Sequence, residues 1–211
     1  MALTVVDRDS LGENRIMVKR IIIGISGASG VVYAIDLLKT LRNLPQDIEI
    51  HGVVSQWARE NLRIETDMKL TELYDLMDYH YANHDMAATI ASGSYLIDAM
   101  VIVPASMKTV AGIACGFHDS LIGRAADVTL KEQRKLIIVP RETPLSVIHL
   151  ENLTKLAKLG AHIIPPIPAF YHPPQSVEEL IRQQTTKMLD SLGIEHNVAE
   201  RWQGSSRFNK G

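Results

Sequence analysis

The sequence has little cysteine, few aromatic residues and no excess of charge of either sign. Cys115 is the single cysteine among 211 residues, which excludes a disulfide framework within the chain and suits a reducing compartment. Aromatic residues make up 5% of the chain and the formal net charge is −2, so nothing indicates a nucleic-acid-binding surface. Because Cys115 lies in a run of small residues, we expect it in the core and not as a nucleophile.

Long apolar runs are also missing from the sequence. The N-terminal residues are polar and mixed in charge and lack the apolar core of a secretion signal. No run is long enough to cross a bilayer, yet 46% of the residues are hydrophobic and a sizeable core is expected. These features predict a soluble, cytoplasmic protein with a flexible leader (1–17), one folded domain (18–193) and a C-terminal tail (194–211).

Strand-like and helix-like segments alternate along the chain. Five runs are rich in β-branched or apolar residues, as expected for strands buried on both faces. These runs are KRIIIGIS, DIEIHGVVS, DAMVIVPAS, KLIIVPRE and AHIIPP. The alternation predicts a parallel sheet with helices on both faces. Ligands of such folds bind beyond the carboxyl ends of the strands, so the residues that follow each strand are the candidates for a site.

The first strand runs into SGASG, which contains Gly27, Ala28 and Ser29. The glycine spacing is not that of a dinucleotide fingerprint, and the lysine of a P-loop is missing. The second strand ends in Ser55 and not in the acidic residue that binds a ribose diol. Amides at a helix N-terminus suit a single phosphate, which favours a mononucleotide such as FMN. The alternative is a tight turn that binds nothing.

Two further strands end in polar motifs. PASMKT contains Ser106 and Lys108, which suit a second anion or the edge of a flavin, or alternatively an N-cap beside a solvated lysine. PRETP contains Arg141, whose planar fork matches phosphate. It also contains Glu142, which could donate a proton if a nearby phosphate raised its pKa. The alternative for this pair is an Arg–Glu surface ion pair.

The segment GRAADVTLKEQR places Arg124 and Lys131 two helical turns apart, hence on one helix face, and predicts an ion pair between Asp127 and Lys131. The alternative is an ordinary solvated face. In the proline-rich FYHPP, the hydroxyl of Tyr171 suits a phosphate oxygen. His172 has no partner at the spacing of metal ligands, so we predict no metal site.

Taken in order, the motifs of residues 19–203 resemble those of the UbiX-like flavin prenyltransferases, formerly described as small subunits of aromatic-acid decarboxylases. The motifs are GISGASG, ETD (65–67), ASGS (91–94), SMKT, RAADVTLKE, VPRETP, PAFYHPPQS and RW (201–202). The resemblance implies a flavodoxin-like or Rossmann-like three-layer α/β protomer that binds FMN and forms a homododecamer. It implies transfer of a dimethylallyl group from dimethylallyl phosphate to N5 and C6 of reduced FMN, without a metal. The product, prenylated FMN, is the cofactor of UbiD-like decarboxylases.

The resemblance also implies roles for individual residues. The FMN contacts are Gly27, Ala28, Ser29, Ser55, Ala105, Ser106, Met107, Lys108 and Arg141. The residues around the prenyl phosphate are Ser92, Arg124, Lys131, Arg141, Glu142, Tyr171, Lys187 and Trp202. Among the catalytic groups, Glu142 donates a proton to the leaving phosphate and Lys131 offsets its charge. Ser29 lies near the reactive ring nitrogen, and Glu65 assists proton movement.

Two positions depart from the family pattern. Met86 stands where some relatives have a tryptophan, so one aromatic wall of the site is absent. Lys187 stands where many relatives have an arginine, which keeps the charge but loses the bidentate fork. Two other functions are consistent with the motifs. One is an FMN-dependent cysteine decarboxylase, and the other is a non-catalytic flavin-binding subunit of a decarboxylase.

Overall fold

The computed structural model describes residues 19–170 and 173–198. Strands and helices alternate through most of this range. The strands are β1 (Lys19–Ile25), β2 (Ile48–Val54), β3 (Tyr79–Ala82), β4 (Ala99–Ala105), β5 (Lys135–Pro140) and β6 (His162–Ile163). The helices are α1 (Val31–Asn43), α2 (Gln56–Glu65), α3 (Leu70–Tyr74), α4 (Met107–Cys115), α5 (Leu121–Lys131), α6 (Val147–Lys158) and α7 (Val177–Leu192). A short 3-10 turn covers Thr89–Ala91.

The strands form one parallel sheet in the order β3-β2-β1-β4-β5-β6. Side chains of alternate strand residues point to opposite faces, and each face has its own core. Ile21 and Ile23 pack with α1, α2, α3 and α7, whereas Ile22 and Met100 pack with α4, α5 and α6. The predicted three-layer, flavodoxin-like fold is therefore confirmed.

Strand β3 was not predicted from the sequence. It consists of Tyr79, His80, Tyr81 and Ala82 at the edge of the sheet, and its first two residues are exposed. It lacks the apolar run of a strand buried on both faces, because among the described strands it pairs with β2 alone and ends the sheet. A search of the sequence for continuous runs of apolar residues does not detect an exposed edge strand of this kind.

The direction of the strand order reverses between β1 and β4, which opens a crevice at their carboxyl ends. Ser26 joins the two strands there. Its buried hydroxyl donates to Pro104 O at 2.9 Å and accepts from Ser106 N at 2.7 Å. The loops that follow β1 and β4 are therefore held side by side at one edge of the sheet. We call the loops after β1, β2, β4 and β5 (27–30, 55–57, 105–108 and 141–142) the carboxyl edge.

Three further observations concern the sequence predictions. Cys115 is exposed, so its placement in the core was wrong: it is the last residue of α4, where the helix turns away at Gly116. In the segment predicted as a C-terminal tail, Ile194 is buried and Val198 packs partly against the core. The predicted leader (1–17) lies outside the described residues. The boundaries of the three segments therefore stay predictions. No helix in the described part of the chain is both long and apolar enough to cross a membrane.

Candidate functional site

The loop after β1 is held in place by hydrogen bonds to its backbone. Asn61 Nδ2 donates to Ala28 O at 2.8 Å, and Arg141 Nε donates to Ser29 O at 3.0 Å. Ala28 is buried, whereas Gly27 and Ser29 are exposed at the surface of the carboxyl edge. The loop thus presents two small residues to a ligand while its carbonyl groups are turned to protein partners.

Glu65 occupies the N-terminus of α1. Its carboxylate accepts from Gly30 N at 2.9 Å and from Val31 N at 3.0 Å. Gly30 has φ 104, a left-handed conformation that glycine adopts without steric cost. The negative charge favours the positive end of the helix dipole. Two amides that the sequence suggested for a phosphate are therefore bound by a carboxylate of this chain, and the amides of residues 27–29 are the ones left for a ligand.

Trp57, which sequence reasoning did not single out, packs against the same loop. A Cβ atom added to Gly27 would lie 2.6 Å from Trp57 Cβ, closer than real atoms approach. The rest of the indole is open to solvent, since Trp57 is 71% exposed. Gly27 is therefore required by close packing against α2.

Two more helices begin at the carboxyl edge with serine N-caps. Ser55 accepts from Ala58 N at 3.1 Å at the start of α2, and Ser106 accepts from Thr109 N at 3.4 Å at the start of α4. Ala105 is buried at the end of β4, Met107 is half-buried, and Lys108 is exposed and pairs with Asp119 at 3.2 Å. The positive ends of two helix dipoles thus face the loops that line the crevice.

Arg141 and Glu142 follow β5 and have different partners. Arg141 is half-buried and binds the loop carbonyl of Ser29, whereas Glu142 is exposed and accepts from Thr143 N at 3.0 Å. The Arg–Glu surface pair considered from the sequence is not formed. Glu142 therefore stands at the rim of the carboxyl edge, and within residues 19–170 and 173–198 only one of its carboxylate oxygens has a hydrogen-bond partner.

A second candidate region, which we call the α5 pocket, lies along α5 and has a volume of about 540 Å³. It is lined by Ala91, Ser92, Gly93, Ser94, Arg124, Lys131 and Glu132. The spacing argument that put Arg124 and Lys131 on one helix face is confirmed. Ala91, Gly93, Ser94 and Glu132 were not among the predicted site residues, although the ASGS motif and the residue after Lys131 would have indicated them.

Ion pairs shape the α5 pocket. Arg124 binds Asp127 at 3.0 Å, and the other oxygen of Asp127 lies 3.4 Å from His118 Nε2. Lys131 pairs with Glu132, and its ammonium group holds the pKa of that carboxyl below its usual range. The predicted Asp127–Lys131 pair was therefore wrong, because Asp127 turns toward Arg124 and His118.

Within one chain the predicted site residues form two groups. Lys131 precedes β5 and Glu142 follows it, and six strand residues at about 3.3 Å each separate them by roughly 20 Å.

Lys187 is exposed on α7, which packs on the opposite face of the sheet from α5. Met86 is 45% exposed. Tyr171 and Trp202 lie outside the described residues. Residues 19–170 and 173–198 hold no cluster of three metal-ligating side chains.

Comparison with known proteins gives consistent matches over most of the chain. The family described as Flavoprotein matches residues 11–198. Flavin prenyltransferase LpdB of Lactiplantibacillus plantarum is 64% identical over 186 residues, which is 88% of this chain and 99% of that protein. A dodecameric FMN-dependent UbiX-like decarboxylase from Escherichia coli O157:H7 is 46% identical, with a TM-score of 0.86 over 88% of this chain and 100% of that chain. AnUbiX (PadA1), solved with FMN and dimethylallyl pyrophosphate, is 45% identical, with a TM-score of 0.87 over 90% and 100%.

Proposed function

The chain belongs to the UbiX-like flavin prenyltransferases, and we propose that it transfers the dimethylallyl group of dimethylallyl phosphate to N5 and C6 of reduced FMN. The observation that carries this proposal is the 64% identity to flavin prenyltransferase LpdB over nearly the whole of that protein. The carboxyl edge and the α5 pocket supply the two kinds of site that the reaction needs.

FMN fits the carboxyl edge. This edge offers small residues and N–H donors around one crevice. They come from the exposed Gly27 and Ser29, from the first turns of α2 and α4, and from the guanidinium of Arg141. Reduced FMN, when bound, supplies the electron-rich ring that accepts the prenyl group. The chain holds the loop backbone at Ala28 O and Ser29 O, and this fixed loop would position Ser29 beside the bound ring.

Glu142 is the proposed proton donor. Breaking the C–O bond of an allylic phosphate builds negative charge on the bridging oxygen, which must be stabilised or protonated. Glu142 is exposed at the rim, two residues after the end of β5, and an adjacent phosphate would favour its protonated form. Arg141 beside it lies between the flavin loop and the donor and carries a charge that attracts phosphate. The carboxylate of Glu65 accepts hydrogen bonds from the first amides of α1, so its main proposed role is to fix the loop after β1.

The donor phosphate needs Lys131 close to Glu142, but these two groups lie roughly 20 Å apart within one chain. We propose that the α5 pocket of one copy faces the carboxyl edge of another in a homo-oligomer. The dodecameric relative at 46% identity supports this arrangement. Each active centre then contains residues of at least two copies, and the isolated protomer is inactive.

Mixing two inactive variants tests the shared site. At a donor concentration well below the wild-type KM, Glu142→Gln and Lys131→Met are each expected to lose most of their turnover, and equal amounts of the two proteins are dissociated and reassembled together. Random assembly places both intact groups at about a quarter of the sites, so about a quarter of wild-type activity is expected to return. If the mixture stays as inactive as its components, both residues act from the same copy and the shared site is wrong.

Three finer points belong to the proposal. Positive side chains that offset the charge of a monophosphate make a metal unnecessary, and activity is expected to survive dialysis against EDTA. A UbiD-like decarboxylase is the proposed recipient of the product, which is checked by reconstituting an apo-decarboxylase with the released flavin. The exposed Cys115 suits a reducing compartment, so a cytoplasmic location is proposed and is checked by fractionation.

The decisive experiment is anaerobic incubation of the protein with reduced FMN and dimethylallyl phosphate, followed by mass spectrometry of the released flavin. A gain of one dimethylallyl unit is expected. Recovery of unmodified FMN with either dimethylallyl phosphate or dimethylallyl pyrophosphate would leave a flavin-binding subunit as the function. Because the complex of AnUbiX contains the pyrophosphate, the comparison of the two donors also identifies the phosphate group that this chain accepts.

A further inference from the structure

A buried histidine lies beneath the α5 pocket and takes no part in the proposed chemistry. His51 on β2 is fully buried on the face of the sheet that carries α5. Its Nε2 is 2.8 Å from Glu49 Oε1, and its Nδ1 is 2.9 Å from the hydroxyl oxygen of Tyr81. The rings of Tyr79 and Tyr81 lie nearly parallel to the imidazole. Both nitrogens of this imidazole therefore have partners, as a buried polar group requires.

The hydrogen bonds of His51 continue to the surface in one direction. Burial by itself raises the pKa of Glu49, but hydrogen bonds from His51 and Arg20 more than offset this, and the net pKa lies below its usual range. An ionised Glu49 only accepts, so His51 Nε2 donates to it, and in the tautomer with the hydrogen on Nε2 alone Nδ1 accepts from Tyr81. The Tyr81 oxygen lies 3.0 Å from Thr89 Oγ1, which then donates to it. A chain of hydrogen bonds thus runs from Thr89 to Glu49.

A second phenol joins the same cluster. The hydroxyl of Tyr95 donates to Glu49 Oε1 at 3.2 Å, and its ring meets His51 edge-on. Burial, followed by the negative charge of Glu49, raises the pKa of Tyr95, so the phenol keeps its proton. Thr89 and Tyr95 are the two ends of one short stretch of chain. Residues 89–95 are therefore fastened at both ends to Glu49 and His51.

Part of the segment 89–95 lines the α5 pocket and contributes the hydroxyl groups of Ser92 and Ser94 to it. Its residues 91–94 line the pocket together with Arg124 and Lys131. From the other side, Arg124 Nε donates to Ala91 O at 3.1 Å and Arg134 donates to Gly93 O at 2.7 Å. The arginines hold the carbonyl groups of this wall, and the His51 cluster holds its ends.

We propose that His51 is a positioning residue for the donor phosphate. It acts through Tyr81 and Thr89, and it holds Ser92, Gly93 and Ser94 in place in the lining of the α5 pocket, where a phosphate monoester would meet them together with Lys131. The inference rests on the proposed function and deepens it, because it names a buried residue that sets the affinity of the donor subsite. His51 touches neither substrate, so its loss weakens donor binding and leaves FMN binding unchanged.

Two substitutions interrupt the chain at opposite ends. His51→Phe keeps an aromatic ring between the tyrosines and removes both nitrogen atoms. Thr89→Val removes only the last hydroxyl of the chain, at an exposed position where folding is not at risk. Thr154→Val, at an exposed threonine of α6, is the matched control. One lost hydrogen bond corresponds to about a 3- to 10-fold change in an equilibrium constant.

Binding of dimethylallyl phosphate is measured by calorimetry on protein loaded with oxidised FMN, which does not react. The Kd is expected to rise about 3- to 10-fold in Thr89→Val and at least as much in His51→Phe, with no change in Thr154→Val or in FMN affinity. The double variant is expected to bind no more weakly than His51→Phe, because the two residues act through one chain.

Three results would overturn the proposal: an unchanged donor Kd in Thr89→Val, additive effects in the double variant, or an equal loss of FMN affinity. Mass spectrometry of the wild-type product is run beside the calorimetry. If the wild-type protein forms no prenylated flavin while donor binding weakens as described, the proposed function fails and the role of His51 stands. If transfer occurs and the donor Kd is insensitive to both variants, the role of His51 fails alone.

Discussion

The carboxyl edge and the α5 pocket are built from different chemical groups. The carboxyl edge consists of small residues, serine N-caps and backbone amides, and its loop is held by hydrogen bonds to main-chain atoms. The α5 pocket consists of charged side chains, of which Lys131 and Glu132 are 48% and 35% exposed. One region is shaped by close backbone packing, and the other by the placement of charge.

The difference predicts different sensitivities for the two ligands. Backbone donors in a packed loop discriminate by shape and respond strongly to an added methyl group. Exposed ammonium and guanidinium groups attract an anion through solvent, and that attraction weakens as salt screens it. FMN affinity is therefore expected to depend on packing, and donor affinity on charge and ionic strength.

Glu142→Gln is expected to have the largest effect, because it removes the proton donor without changing the shape of either region. General acid catalysis contributes about 10²- to 10⁴-fold, so the single-turnover rate is expected to fall by that factor while FMN content stays normal. Glu151→Gln, at an exposed glutamate of α6, is the control. Near-normal product formation by Glu142→Gln would remove this residue from the mechanism.

Gly27→Ala tests whether packing controls the carboxyl edge. The new Cβ would lie 2.6 Å from Trp57 Cβ, and overpacking of this kind costs about 1–3 kcal/mol. FMN titration is expected to show about 5- to 100-fold weaker binding. Adding Trp57→Gly is expected to restore binding, whereas adding Trp57→Ala is not, because alanine keeps the clashing Cβ. Equal rescue by both would show that the bulk of the indole matters, not its Cβ.

Lys131→Met tests whether charge controls the α5 pocket. A hydrogen bond to a charged group contributes about 1.5–3 kcal/mol, so the donor KM is expected to rise roughly 10- to 100-fold while FMN affinity is unchanged. The salt dependence of the donor KM is expected to become shallower than in the wild type. Lys39→Met, at an exposed lysine of α1 on the other face of the sheet, is the control and should alter neither quantity.

Glu132→Gln is expected to have the smallest effect, with the opposite sign. Lys131 pairs with Glu132, so an incoming phosphate competes with that carboxylate for the same ammonium group. Neutralising Glu132 frees Lys131, and the donor KM is expected to fall about 2- to 5-fold, as for a weak surface ion pair. A higher donor KM would mean that Glu132 orients Lys131 and does not compete with phosphate.

Local patterns predicted much of both regions. The N-cap role of Ser106 was one of the two alternatives that its position after a strand suggested, and the shared face of Arg124 and Lys131 followed from helical spacing. The edge strand β3 was not predicted, because an exposed edge strand lacks a continuous run of apolar residues. The ion pair of Asp127 was assigned to the wrong partner, since spacing alone does not distinguish Lys131 from Arg124 and His118.

The sequence by itself determined the order of the buried strands and the helices, the parallel sheet and the chemical groups at the ends of those strands, because these depend on periodicity within a few residues. Only the tertiary structure decided that Glu65 binds the amides of α1 across 34 residues, and that His51 fastens the wall of the α5 pocket. It also decided that Lys131 and Glu142 stand at opposite ends of β5. Such relations depend on how distant segments pack, which no local pattern encodes.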